Sequence, residues 1–302
     1  MTEGIKTVAI VGAGFMGSQI ASRAAVYGYD VTVYDVSTDQ LKKGEEMTRF
    51  FTEGHIDANG GDLKEVLKST KFFDDLGKAL EDADLVIEAV SEDVEVKKKV
   101  FARIDEKAPP HTIIGTNSSS LPVSKMEDAV STSRKERVLN IHFASPIPQR
   151  NYIEIMGGSK TTYDVIDMAV EWSKSIDCIP LVATKESMGF VVNRVWHSAR
   201  RDALKMWEDG IADYKDIDRG WIKLTGMQAG IFGAIDYIGV DVVYAIEKAY
   251  FEEKGEERFR PPEGLKAMVD RGDLGMKTGK GFYDWPEPEF IKPDFLDPKK
   301  CG

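Results

Sequence analysis

The chain of 302 residues is long enough for two domains or for one large domain with a core of its own. Its hydrophobic share of 42% and charged share of 30% are ordinary for a folded protein, so a disordered chain is not expected. The formal net charge of -11 disfavours nucleic acid and anionic membranes as partners, because both would repel the chain.

The first half of the chain alternates short apolar runs with helical patterns. Apolar runs bounded by Gly, Asp or Asn predict buried strands at residues 7–11, 31–34, 85–89, 113–115, 139–143, 152–156 and 179–182. Met16, Ile20 and Ala24 recur every fourth residue and predict a helix that ends near Gly28. Strands that alternate with helices predict a mostly parallel α/β sheet with right-handed crossovers.

Two regions depart from this rhythm. Helical patterns at 41–52 and 63–69 flank the turn signal at 59–61, which predicts a helical hairpin inserted after the second strand. Helical periodicity takes over after Gly189, where one apolar face would carry Val192, Val195, Ala199, Ala203, Met206 and Trp207. We therefore predict an α/β domain over residues 1–186 and an all-α domain over residues 187–302.

A glycine-rich loop lies between the first strand and the first helix, with the sequence Gly12-Ala13-Gly14-Phe15-Met16-Gly17. In this context Gly12 permits a tight turn, Gly14 lets the backbone approach a pyrophosphate, and Gly17 lets the helix pack on the strand. The N–H groups of the helix start would face the phosphates. Asp35 ends the second strand, where its carboxylate would hold the ribose hydroxyls and repel a 2′-phosphate. The pattern predicts NAD, bound by Gly12, Gly14, Phe15, Met16, Gly17 and Asp35.

Polar residues end two later strands. The run 116–120, Thr-Asn-Ser-Ser-Ser, follows one strand, and His142 lies near the end of another. Open α/β sheets bind ligands at this edge. Glu154 on the following strand could make His142 a general base, because a carboxylate fixes the imidazole tautomer and supports the imidazolium. From spacing alone, a histidine in an apolar strand is more often a core residue.

The two cysteines and the N-terminal residues indicate the location. Cys178 and Cys301 are the only cysteines, so we expect neither a disulfide scaffold nor a metal site. The N-terminal residues lack the basic start and cleavage site of a secretory signal, and no stretch approaches the roughly 20 apolar residues of a membrane span. These features predict a cytoplasmic protein.

Several motifs, in order, resemble the 3-hydroxyacyl-CoA dehydrogenase family along nearly the whole chain. They are GAGFMG at 12–17, DLVIEAVSEDVEVKK at 84–98, TNSSSL at 116–121, HFASP at 142–146, GFVVNR at 189–194 and LGMKTGKGFYDW at 274–285. The resemblance, which includes 3-hydroxybutyryl-CoA dehydrogenase and diketoreductase-like members, implies an N-terminal Rossmann-type domain with a helical hairpin insertion. It further implies an all-helical C-terminal domain that forms a homodimer, and NAD as the cofactor.

The resemblance also implies residue roles. His142 corresponds to the catalytic base and Glu154 to the carboxylate that pairs with it. Ser119 and Asn193 correspond to residues that approach the substrate oxygen. Further cofactor-binding positions are Glu92, Lys97 and Asn117, of which the first two correspond to contacts with the nicotinamide-side ribose.

Departures from the family pattern lie near the substrate. The family's His-Phe-Phe-Asn-Pro is His-Phe-Ala-Ser-Pro at 142–146, and polar residues 149–151 follow where the family is mostly apolar. The family's hairpin helps to hold CoA, often with lysines, whereas here basic and acidic residues are mixed. TNSSSL, HFAS and DGIAD resemble the diketoreductase type, and Arg150, Arg200 or Arg201 could pair with a substrate carboxylate.

Three functions therefore remain open on the sequence. The first is an NAD-dependent 3-hydroxyacyl-CoA dehydrogenase of fatty acid metabolism. The second is a dehydrogenase or reductase of non-CoA 3-oxo or 3,5-dioxo acids, of the diketoreductase or gulonate-dehydrogenase type. The third is a catalytically idle NAD-binding structural protein. CoA dependence separates the first two, and turnover separates both from the third.

Overall fold

The computed structural model describes residues 4–299, so the predictions that concern Cys301 and the first three residues fall outside the described part of the chain. The chain folds into two compact units, of which the first ends at Arg194 and the second begins at Val195. No helix among the described residues has the length and apolar character needed to cross a membrane. Cys178 is a buried free thiol.

The first unit is built on an eight-stranded sheet. Its strands are β1 (Thr7–Val11), β2 (Asp30–Tyr34), β3 (Thr70–Phe73), β4 (Leu85–Glu88), β5 (Ile113–Thr116), β6 (Val138–Phe143), β7 (Tyr152–Gly157) and β8 (Ile179–Ala183). Their order is β3-β2-β1-β4-β5-β6-β7-β8, and β6 with β7 is the one antiparallel pair among the described strands. The mostly parallel sheet predicted from the sequence is confirmed, and β4, β5 and β6 are buried along their whole length, as parallel strands covered by helices must be.

The helices follow the predicted pattern with shifted ends. They are α1 (Phe15–Val26), α2 (Thr38–Asn59), α3 (Leu63–Lys68), α4 (Leu76–Leu80), α5 (Val94–Lys107), α6 (Tyr163–Ser175), α7 (Val192–Glu208), α8 (Tyr214–Thr225), α9 (Ile231–Ile238), α10 (Val240–Lys254) and α11 (Glu263–Arg271). The inserted hairpin is α2 and α3. Ser37 and Asp62 cap these helices by accepting hydrogen bonds from backbone N–H groups of their first turns, which is why both begin where they do.

Strand β3 was missed by the sequence analysis. It lies at the edge of the sheet beside β2 and is only partly buried. An edge strand of this kind lacks the continuous apolar run that marks a central strand, so its signal in the sequence is weak.

The buried face of α7 differs from the predicted one. Val195 is 70% exposed and Met206 is 37% exposed, whereas Arg200 is buried. Arg200 donates to Glu247 of α10 at 2.6 Å, and both side chains are 1% exposed. A buried cation is tolerated when it is paired and hydrogen-bonded, so the buried ion pair, and not an apolar stripe alone, sets the orientation of the helix.

Buried carboxylates also organise the rest of the second unit. Asp218 of α8 accepts hydrogen bonds from the N–H groups of Phe232 and Gly233, at the start of α9, and from the hydroxyl of Tyr283. Burial raises the pKa of Asp218 to about 6. The carboxylate thus serves as a cap for α9 and ties the C-terminal segment to α8.

Candidate active site

The loop after β1 has the close approaches that its glycines predict. A Cβ at Gly12, whose φ is 113°, would lie 2.6 Å from the carbonyl oxygen of Ala89. A Cβ at Gly17 would lie 1.9 Å from the carbonyl oxygen of Gly12. Both positions therefore require glycine for packing. A Cβ at Gly14 would meet nothing within 4 Å, so this side of the loop is open.

The N-terminus of α1 fits a pyrophosphate. Gly14 is its N-cap, and no side chain caps the helix. The first N–H groups of a helix, here those of Phe15, Met16 and Gly17, lack intrahelical acceptors and lie at the positive end of the helix dipole. An open glycine surface beside free N–H donors is the arrangement that binds the phosphates of a dinucleotide.

Asp35 lies beside the same loop. One oxygen of its carboxylate accepts from the N–H of Ala13 at 3.0 Å, and the other accepts from the N–H of Ser37 at 2.9 Å. The first bond places a negative charge next to the glycine loop, at the end of the neighbouring strand. The position fits the carboxylate that holds the adenosine ribose of NAD.

Replacing Asp35 with Arg is expected to weaken NADH binding by about 10- to 100-fold, because hydrogen bonds to a charged group are lost. The same change should bring the Kd for NADPH close to that for NADH, since the repulsion of a 2′-phosphate disappears. Fluorescence titration with both nucleotides measures the two constants. Asp39→Asn, an exposed change nearby on α2, is the matched control. An unchanged ratio of the two constants would remove Asp35 from the ribose site.

His142 and Glu154 face each other across β6 and β7. The antiparallel register pairs the two residues directly, so their side chains lie on the same face of the sheet. The imidazole Nδ1 lies 2.8 Å from Glu154 Oε2. His142 is 7% exposed and Glu154 is fully buried. Nε2 makes no hydrogen bond to any residue from 4 to 299, and His142 lines a cleft.

The second oxygen of Glu154 is held by backbone. Oε1 accepts from the N–H groups of Val191 at 2.9 Å and Val192 at 2.7 Å. Burial alone would raise the pKa of Glu154, but the hydrogen bonds from His142 and these two N–H groups outweigh it and lower the pKa. The carboxylate therefore stays ionised at neutral pH beside the imidazole.

A turn before α7 supplies these contacts. Gly189 has a φ of 77° and Phe190 a φ of 53°, a left-handed conformation that costs a side-chain-bearing residue about 1–2 kcal/mol. The turn stacks the Phe190 ring on the imidazole of His142, with centroids 5.3 Å apart. Phe190 was not predicted from the sequence as a site residue. The Gly-Phe pair at the start of the motif GFVVNR could have indicated it.

The loop that carries Ser119 is held by Glu92. Its Oε1 accepts from the hydroxyl of Ser118 at 2.5 Å and from the N–H groups of Ser119 and Ser120 at 3.1 and 3.0 Å. Burial opposes ionisation, but the bond from Ser118 and the charge of Lys97 lower the pKa of Glu92 overall. The hydroxyl of Ser119 has no hydrogen-bond partner among the described residues, so it is available to a ligand.

Lys97 connects this loop to the centre of the sheet. Its ammonium lies 2.8 Å from Glu88 and 3.3 Å from Glu92, and the side chain is 1% exposed. Glu88 also accepts from the hydroxyl of Thr116 at 2.7 Å. Glu88 was missed by the sequence analysis, although a carboxylate that ends an apolar strand is a visible signal.

Two amides brace the active-site loops. The side chain of Asn117 accepts from the N–H of Phe143 at 2.8 Å, which joins the ends of β5 and β6. Gln19 of α1 donates to the hydroxyl of Ser145 at 3.1 Å and accepts from the N–H of Ile147 at 3.1 Å. Both contacts fix the loop that follows His142.

These elements enclose a cleft of about 460 Å³ in the first unit. Its lining residues are Met16, Ala89, Val90, Glu92, Lys97, Asn117, Ser119, His142, Phe143, Ala144, Ser145, Arg150, Tyr152 and Asn193. The structure thus brings Ser119, His142 and Asn193 together with Met16 of the glycine loop. Arg200 and Arg201 are not among these residues, because both donate to the buried Glu247 in the second unit.

Comparison with known proteins gives the same family for both parts of the chain. The model described as 3-hydroxyacyl-CoA dehydrogenase, NAD binding domain, matches residues 7–187, and the model of the C-terminal domain of that enzyme matches residues 189–285. The chain belongs to the 3-hydroxyacyl-CoA dehydrogenase family. It is therefore an NAD-dependent oxidoreductase, in agreement with the glycine loop and Asp35.

Individual known proteins match nearly the whole length of this chain. The 3-hydroxybutyryl-CoA dehydrogenase of Clostridioides difficile is 34% identical over 284 residues, which cover 92% of this chain and 99% of the relative. The structure of Escherichia coli 3-hydroxybutyryl-CoA dehydrogenase superposes with a TM-score of 0.87 at 33% identity, over 94% of this chain and 61% of that one. A diketoreductase structure, described with dual catalysis of dicarbonyl compounds, superposes with a TM-score of 0.82 at 34% identity, over 94% and 100% of the chains.

Proposed function

We propose that this chain catalyses the reaction 3-hydroxyacyl-CoA + NAD = 3-oxoacyl-CoA + NADH, with His142 as the general base and acid. The observation that carries the proposal is the His142–Glu154 pair at the cleft, in which Nδ1 is bound to the carboxylate and Nε2 has no partner among the described residues. A histidine so held can accept a proton at one nitrogen while the other keeps its tautomer.

The proton and the hydride leave the substrate at different places. When bound, NAD supplies the hydride acceptor for C3. His142 Nε2 accepts the proton of the 3-hydroxyl group, and Glu154 stabilises the imidazolium that results. In the reverse direction the protonated His142 donates to the 3-oxo oxygen. Ser119 and Asn193, which line the same cleft, donate hydrogen bonds to that oxygen as negative charge develops on it.

The first unit supplies the cofactor site. The phosphates would lie on the N–H groups of the glycine loop, with Asp35 on the adenosine ribose. Glu92, Lys97 and Asn117 would lie on the nicotinamide side. Glu92 and Lys97 are already bound to each other and to the loop of Ser119, so they would place cofactor and substrate relative to one another.

The second unit exposes large apolar side chains, among them Val195, Ile211, Leu224, Met227 and Val242. A dimer interface would cover side chains of this kind. We infer a homodimer, with the functional division of the chain after residue 186, a cytoplasmic location, and a role in fatty acid metabolism.

A non-CoA substrate is the second candidate function. Two basic residues of the hairpin, Arg49 and Lys68, are paired with Glu53 and Glu65 at 2.8 and 2.5 Å, which reduces the positive charge available to CoA phosphates. The structural similarity to a diketoreductase also favours a substrate without CoA.

The initial rate of NADH oxidation distinguishes the candidates. We expect acetoacetyl-CoA to be reduced with a kcat/KM at least about 10-fold above those of free acetoacetate and a 3,5-dioxo ester, since binding of the CoA group contributes to the transition state. Turnover of the two CoA-free compounds alone would favour the second candidate. Cofactor binding without turnover of any compound would instead indicate an idle NAD-binding protein.

A further inference from the structure

Arg150 is a cation that lines the cleft. Its guanidinium makes no ion pair or hydrogen bond to any residue between 4 and 299, although the side chain lines the same cleft as His142, Ser119 and Asn193. Arg200 and Arg201, the other arginines considered from the sequence, are bound to Glu247. Arg150 is thus the arginine that remains available to a ligand at this site.

The backbone at Arg150 is held by hydrogen bonds. Its N–H donates to the carbonyl of Pro146 at 3.0 Å, and its carbonyl accepts from the N–H of Tyr152 at 2.8 Å. The next residue, Asn151, donates through its side chain to the carbonyl of Asp177 at 3.2 Å. Contacts on both sides of Arg150 fix the backbone from which its side chain extends.

Arg150 and the catalytic histidine line one cleft. Arg150 lies two residues before β7, and Arg150, Tyr152 and His142 are all lining residues of the cleft of about 460 Å³. A ligand bound in this cleft can therefore reach both the guanidinium and the imidazole.

We propose that Arg150 binds a free carboxylate of the substrate, so that the preferred 3-hydroxy or 3-oxo compound is an acid and not a simple acyl chain. This inference rests on the proposed hydride transfer at C3 with His142 as base, and it names the substrate class. A guanidinium matches a carboxylate with two parallel hydrogen bonds. The hydroxyl of Tyr152, which stays protonated because burial and Glu154 raise its pKa, can donate a further bond.

Two kinds of substrate carry such a carboxylate. One is a free 3-oxo acid, in which the carboxylate is C1. The other is the CoA monothioester of a dicarboxylic acid, in which the carboxylate lies at the far end of the acyl chain. Both present the same anion to Arg150.

The test compares substrates that differ in the carboxylate. NADH oxidation is measured with acetoacetyl-CoA and 3-oxoadipyl-CoA, and with acetoacetate and its methyl ester, for the wild type, Arg150→Met, Arg150→Lys and the control Lys160→Met. Arg150→Met keeps an unbranched side chain of similar length and removes the charge. Lys160 is an exposed cation of the first unit and is not among the residues that line the cleft.

We expect Arg150→Met to lower kcat/KM for the carboxylate substrate by about 10- to 100-fold, mainly through KM, and to leave acetoacetyl-CoA within about twofold. Arg150→Lys should retain part of the preference for carboxylate substrates, since an ammonium keeps the charge but cannot form the two parallel hydrogen bonds of a guanidinium. A preference for 3-oxoadipyl-CoA over acetoacetyl-CoA identifies the monothioester, and a preference for acetoacetate over its ester identifies the free acid.

Other outcomes overturn the inference without affecting the proposed function. Equal losses on acetoacetyl-CoA and on the carboxylate substrates would show that Arg150 supports the fold of the cleft. Unchanged kinetics in Arg150→Met would show a solvated surface arginine. A wild type that oxidises NADH with none of the four compounds would contradict the proposed function itself.

Discussion

Replacing His142 with Gln is expected to lower kcat by about 100- to 10 000-fold, the range that general acid–base catalysis contributes. Gln keeps a polar group of similar size beside Glu154 but cannot accept a proton from the substrate. The affinity for NADH should stay within about twofold, because the glycine loop and Asp35 are untouched. Single-turnover kinetics measures the hydride-transfer step, and fluorescence titration measures the affinity.

The control for this variant is His111→Gln. His111 is exposed, and its ring lies 3.1 Å from Asp84, whose other carboxylate oxygen accepts from the N–H groups of Lys6 and Thr7. His111→Gln should retain the wild-type rate. If His142→Gln retained it as well, another residue of the cleft would have to be the base.

Replacing Glu154 with Gln should lower kcat about as much as replacing His142 does. Two N–H groups, from Val191 and Val192, point at one oxygen of residue 154, so the amide must place its carbonyl there. Its NH2 group then faces Nδ1 of His142. The ring must accept at Nδ1 and carry its proton on Nε2, which is the wrong tautomer for a base. An analogous change in another enzyme's catalytic triad lowers kcat by about 10 000-fold, and we expect a loss of about 100- to 10 000-fold here.

The pH dependence gives a second readout for Glu154. The pKa of Glu154 is lowered in the folded protein, so its charge stabilises the fold above the ordinary pKa of Glu, and this stabilisation is lost as the pH falls through the lowered value. In Glu154→Gln the imidazolium loses its counter-charge. Residue 154 also no longer titrates, so the profile of unfolding free energy against pH should fall less steeply toward acid pH than that of the wild type. Glu171→Gln, an exposed change on α6, should leave the profile unchanged. A wild-type rate and profile in Glu154→Gln would contradict the role of the pair.

Much of the fold could be predicted from local pattern. The strands β1, β4 and β5 are buried on both faces, so their sequences are apolar throughout and bounded by turn residues. The glycine loop and Asp35 were equally visible, because a tight turn against a helix N-terminus requires particular residue types at particular spacing. The edge strand β3 and the buried face of α7 were not visible, because each depends on what packs beside it.

The sequence by itself determined the family and the NAD loop, and it singled out some of the residues that line the cleft, among them Ser119, His142 and Asn193. Its residue types and spacing encode each helix and strand, since these follow periodicities of a few residues. Only the tertiary structure decided which charged side chains pair with one another. It placed Glu154 between His142 and two backbone N–H groups, and it bound Arg200 and Arg201 to Glu247 while leaving Arg150 at the cleft. Such pairings join residues far apart in the chain, and burial and distance, which no local pattern records, determine which charges meet.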